Sequence, residues 1–99
     1  MSMQFSLELK TGFFQTDACI VHIDNKASQL LIEFEKGRDA YVIEFKNLKR
    51  IIYNPYAHHE LELQTSCDTY VGYVNKQELA RGVIDFLKVE FESIFKEIK

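Results

Sequence analysis

A mainly β domain of about seven antiparallel strands, finished by one long amphipathic helix, is the fold class this sequence predicts. Three observations carry it. Apolar residues alternate with polar ones at period two over the first three-quarters of the chain. Clusters of Gly, Asn, Asp and Pro punctuate those runs. After Asn75 the apolar spacing changes to three and four.

The strand runs follow in order. "FSLEL" sets Phe5, Leu7 and Leu9 on one face against Ser6 and Glu8. "DACIVHID" is β-rich but apolar on both sides, so its inward face stays open. "QLLIEFE" points Leu30, Ile32 and Phe34 inward, with Glu33 and Glu35 outward. "AYVIEF" does the same with Tyr41, Ile43 and Phe45 against Glu44. "RIIY", then "HELELQT" with Leu61 and Leu63 inward, and finally "DTYVGYV" complete the series. "KTG", "DNKAS", "EKGRD", "NPYAH" and "SCD" supply the turns. Short links between short strands imply an antiparallel meander with one solvated face.

Asn75 then opens the predicted helix. Glu78 stands at the reciprocal position of a capping box, and Val74 and Leu79 occupy the hydrophobic-staple positions. Leu79, Val83, Phe86, Leu87, Phe91, Ile94, Phe95 and Ile98 form one stripe, with Gly82 beside it to allow close approach to a sheet. A helix over residues 76–98 is roughly 34 Å long, whereas strands of five or six residues span only about 17–20 Å. Two readings stay open. Either Phe91, Ile94, Phe95 and Ile98 overrun the body and seek a partner, or longer strands or a curved sheet cover them.

Size and composition bound the rest. Ninety-nine residues, with a strand-rich part over 3–74, make one domain over residues 1–99. An apolar fraction of 46% with eight Phe and five Tyr provides a core, and four Gly and one Pro exclude disordered and collagenous classes. A net charge of −3 without a basic stripe argues against nucleic acid, and equally against an anionic membrane surface. The opening "MSMQFSLELK" has no signal-peptide pattern, and no apolar run reaches membrane-spanning length. Two cysteines, Cys19 and Cys67, provide no disulfide framework. A cytoplasmic protein with reduced, buried thiols is expected.

The strand–helix order, "YVIEFKNLKRIIYN" with Leu48 and Ile51 as buried members, and "TYVGYVNKQELARGVIDFLK" together resemble the pleckstrin-homology-like (PH-like) superfold in its bacterial or GRAM-like form. The resemblance covers essentially the whole chain at the level of fold pattern. It implies a barrel of about seven antiparallel strands from two nearly orthogonal sheets, with the helix plugging one end. Phosphoinositide-binding members resemble one another in a basic cluster on the first two strands. Here "LELKTGFFQTDACIVHI" offers Lys10 alone, with Glu8 and Asp17 beside it. One lysine does not offset the dehydration of a polyphosphate, so no phosphoinositide site is expected.

Candidate chemistry is sparse. His58 and His59 follow the Asn54-Pro55 turn signal, and in a strand they would point to opposite faces, so a turn rather than a metal site is expected. His22 and Cys19 are three apart and on opposite faces, so they form no local nucleophilic pair. Glu33, Glu35, Glu44, Glu60 and Glu62 each fall on an outward phase. No catalytic residue, metal or cofactor is assigned. Phe13 and Phe14 follow Gly12 in the first hairpin, and an extended segment cannot send both rings into the core. Either one is exposed as a contact residue, or an irregular loop folds both inward.

The expected function is therefore a non-enzymatic protein-interaction or self-assembly module, its partner a protein or a second copy in a homo-oligomer. Its expected surface comprises Phe13, Phe14, Phe91, Ile94, Phe95 and Ile98. The alternative is a peripheral membrane domain using the Gly12-Phe13-Phe14 tip with Lys10, and a small-ligand binder or enzyme with a barrel cavity ranks third.

Overall fold

The computed structural model describes residues 2–37 and 40–99. Eight strands form one sheet: β1 (Met3–Gly12), β2 (Gln15–Asp24), β3 (Gln29–Phe34), β4 (Tyr41–Glu44), β5 (Leu48–Asn54), β6 (Glu60–Thr65), β7 (Thr69–Tyr73) and β8 (Phe95–Glu97), with spatial order β4-β3-β2-β1-β7-β6-β5-β8. A 3-10 turn, Phe45–Asn47, makes the corner between β4 and β5. Two short helices, α1 (Lys76–Ala80) and α2 (Val83–Glu90), lie between β7 and β8.

The period-two pattern becomes burial directly. Phe5, Leu7 and Leu9 of β1, Leu30, Ile32 and Phe34 of β3, and Leu61 and Leu63 of β6 are all buried in one core. The inward face of β2 proves to be Cys19, Val21 and Ile23. Leu48 and Ile51 are also buried, but Tyr41 stands at the exposed edge and Phe45 leaves the strand for the 3-10 corner.

Two expectations are corrected. The 76–98 segment is not one helix. Gly82 adopts φ +83°, in the left-handed region, and ends α1 before α2 begins. Among the described residues, nothing outside its own chain neighbours and helix backbone lies within 4 Å of the position a Cβ would take at Gly82, so its role is backbone reversal, not close approach. After Glu90 the chain turns, and Phe95–Glu97 pairs parallel with Ile51–Tyr53 of β5. The backbone bonds Ile51 N–H to Ile94 O and Ile98 N–H to Tyr53 O fix that register. The second correction follows from the first. β8 takes the edge of β5 that β4 would need in order to close a ring, so the hydrogen-bonded sheet is open, with β4 and β8 at its edges.

The joint between β1 and β7 is short, pairing only Glu8 with Tyr73 and Leu9 with Gly72. Where β7 leaves, α1 takes over. The Glu78 carboxylate, 5% exposed, accepts from the Ser6 backbone N–H, and Arg81 donates to Gln4 O at 3.3 Å and to Glu78 at 2.8 Å. Asn75 caps α1 as expected, its side chain accepting from Glu78 N–H at 2.9 Å. The reciprocal half of the capping box is replaced, since the Glu78 carboxylate goes into β1 instead. Backbone groups stranded by the diverging strand are thereby satisfied by side chains.

Candidate functional site

The β1–β2 hairpin carries the most conspicuous surface. Gly12 pairs with Gln15, leaving Phe13-Phe14 as a two-residue loop. Two-residue loops favour left-handed residues, and neither phenylalanine has a positive φ. A register shift between Lys10 and Gly12 accommodates the turn instead, and the Thr11 hydroxyl donates to the Asp17 carboxylate at 2.7 Å beside it. β7 pairs β1 only as far as Leu9, and β3 pairs β2 only from Cys19. The hairpin end thus projects beyond its neighbours by about 10 Å, at ~3.3 Å per residue. Phe13 is 87% and Phe14 95% exposed, and their rings meet edge to face at 5.0 Å. Both rings point to solvent.

An open cleft of about 830 Å³ lies at the root of this hairpin, lined by Leu9, Lys10, Thr11, Phe34, Gly37, Tyr41, Asp68, Thr69 and Tyr70. Its aromatic wall is continuous. Tyr41 contacts Phe34 at 5.5 Å and Tyr70 at 5.1 Å between ring centroids. Burial raises the Tyr70 phenol, and nearby Asp68, Tyr41 and Cys67 push it the same way. Among the described lining residues, Lys10 is the cation and Asp68 the anion.

The helix-end candidates are placed differently. Phe91 is 8% exposed and packs edge to face on Phe45 at 5.2 Å, so it is a core residue. Ile94 and Phe95 pack partly buried against the core, and Ile98 is intermediate because β8 lies along β5. The overrunning apolar helix is absent because the chain folds back, so these four residues present no free stripe.

His58 and His59 both take the left-handed conformation, with φ of 56° and 58°. The strand alternation expected there therefore does not apply. His58 is exposed, whereas His59 Nδ1 is 2.8 Å from the Tyr53 hydroxyl and His59 O accepts from Val74 N–H. His59 is a structural partner of β5 rather than a solvated loop residue. His22 lies 3.3 Å from the Glu33 carboxylate on the outer face. Among the described residues, no three His, Cys, Asp or Glu side chains come together as a metal site. Cys19 is buried and Cys67 exposed, both as free thiols, so the expectation that both are buried fails for Cys67. Burial chiefly raises the Cys19 thiol, to about 11, against a lowering hydrogen bond to the Leu9 backbone. That is the wrong direction for a nucleophile at neutral pH.

Neither a protein-family model nor a curated protein matches this chain. No helix of the described residues is long and apolar enough to cross a membrane. The aromatic cleft escaped the sequence reading because Phe34, Tyr41 and Tyr70 come from three strands whose juxtaposition depends on tertiary register.

Proposed function

We propose that this chain is a non-enzymatic, cytoplasmic protein-interaction or self-assembly module on a PH-like scaffold, and that the projecting Phe13-Phe14 hairpin is its contact element. One observation carries the reading: two almost fully exposed aromatic rings sit at the end of a projecting, strand-paired hairpin. Exposed aromatics of this kind are what interface cores are enriched in. The strand order β4-β3-β2-β1-β7-β6-β5, with helices following β7, supports the scaffold. The spread of Glu33, Glu35 and Glu44 over exposed faces, the structural role of Glu78 and a buried thiol with a raised pKa support the absence of an enzymatic role.

The test is photo-crosslinking from a benzoyl-phenylalanine placed at position 14 in cells. A covalent adduct with a protein chain is expected, and its absence overturns the reading. The same tip motivates the bilayer alternative. Co-sedimentation with vesicles, lost in F13S/F14S, would transfer the tip to membranes, against the net charge of −3.

A further inference from the structure

We infer that the partner of the hairpin tip is a second copy of this chain, and that two copies dock by each placing Phe13-Phe14 in the aromatic cleft of the other. This deepens the interaction reading and rests on it. Three features of the molecule carry the inference.

First, tip and cleft are adjacent. Lys10 and Thr11 line the cleft and lie just before the tip in β1. A two-fold axis beside this rim brings each tip over the other copy's cleft in a single movement. Such an isologous contact is closed, with no free tip left to propagate a fibre. The hairpin does not fold onto its own cleft, since both rings remain solvent-exposed.

Second, the sizes and chemistry agree. The cleft's 830 Å³ lies within the roughly 300–1,000 Å³ range of ligand-sized clefts. Its Phe34–Tyr41–Tyr70 wall offers the edge and tilted ring faces on which further phenyl rings pack favourably. Burying four rings at about 150–250 Å² each, together with the smaller area of the two cleft walls they cover, removes on the order of 1,000 Å² from water. That meets the roughly 1,000 Å² expected of a weak, dissociable biological contact.

Third, the rim charges are self-complementary. Each cleft carries Lys10 and Asp68. A two-fold arrangement sets Lys10 of one copy opposite the partner's Asp68, and the converse, so the contact pairs unlike charges twice.

Light scattering of the full chain across a hundredfold dilution reads this directly. The expected mass is twice the 11.6 kDa of one chain, falling towards it on dilution. F13S/F14S, whose rings touch little of the folded body, keeps the circular dichroism and melting of the parent. It raises the dissociation constant by about a hundredfold or more, as loss of two aromatic anchors does. K10E and D68K each weaken the dimer, and the double variant recovers it. An 11.6 kDa mass at every concentration overturns the inference, as does a dimer that F13S/F14S leaves intact.

The position-14 photo-crosslinker separates this outcome from failure of the interaction reading. An adduct joining position 14 to a peptide holding Phe34, Tyr41 or Tyr70 of a second copy supports the docking. An adduct with a different protein overturns it while leaving the hairpin as a contact element. No adduct removes both.

Discussion

Cys19 and Cys67 show how one residue type is set by its surroundings. Cys19 faces the core between Phe34 of β3 and Leu7 of β1, its partners in the sheet register. Burial holds its thiol at about 11, against an ordinary value of 9.0. A folded pKa above the unfolded one means that the native state keeps its proton longer. The Cys19 contribution is therefore whole below pH 9 and is lost as pH climbs towards 11. The loss totals about 2–3 kcal/mol at ~1.4 kcal/mol per unit. Tyr53 and Tyr70, both raised chiefly by burial, act in the same direction at higher pH. Urea unfolding from pH 8 to 11 should show a falling stability whose first segment flattens in Cys19→Ala. Cys67, exposed in the β6–β7 turn, should be alkylated in native buffer. Cys19 should react only on unfolding, so mass spectrometry finds one adduct natively and two in denaturant.

At the scale of elements, β1, β3 and β6 were legible because each has one wet face and one dry one. The inward phase of β2 was not legible, since Ile20 and His22 on its outer phase are themselves half-buried. The C-terminal segment misled for a different reason. Phe91, Ile94, Phe95 and Ile98 keep a spacing of three and four that a helix would use. Yet Phe91 is consumed by the core, and the rest by a parallel strand on β5. Gly82 was the available signal, and it acts through its positive φ. Gly82→Ala is expected to cost about 1–2 kcal/mol, the penalty for a left-handed L-residue, measured by chemical denaturation. Glu78 tests the same region from the side chain. Glu78→Gln retains the shape but loses the ionic partner of Arg81 and the carboxylate accepting from Ser6 N–H. A loss of about 1.5–3 kcal/mol is expected for hydrogen bonds to a charged group. Amide exchange at Ser6 should accelerate with it. An unchanged Ser6 amide would mean that the brace between α1 and β1 contributes nothing.

Across the whole molecule, the sheet has two halves, β4-β3-β2-β1 and β7-β6-β5-β8, joined by two residue pairs of β1 and β7. So short a ladder leaves side-chain packing to help hold the halves together, and one close contact across the joint is Leu7 against Gly72. A Cβ at Gly72 would lie 2.7 Å from Leu7 Cγ and 2.8–2.9 Å from its two methyl carbons. The close approach of the strands thus requires a residue without a side chain opposite a large one. Nothing in "DTYVGYV" names Leu7 as its counterpart, because the two positions are 65 residues apart, so this pairing was invisible beforehand. Gly72→Ala should cost about 1–3 kcal/mol by overpacking. Leu7→Ala should cost about 2–5 kcal/mol through lost burial and the cavity left behind. The two changes are complementary in shape, since the methyl added at position 72 enters the space vacated at position 7. The double variant should therefore be less destabilised than the sum of the singles by about 1–2 kcal/mol, within the range seen for residues in contact. Thermal unfolding would show this as several degrees recovered, at about 4–8 °C per kcal/mol for a domain of this size. Simple additivity in that cycle would mean that Leu7 and Gly72 are not coupled across the joint.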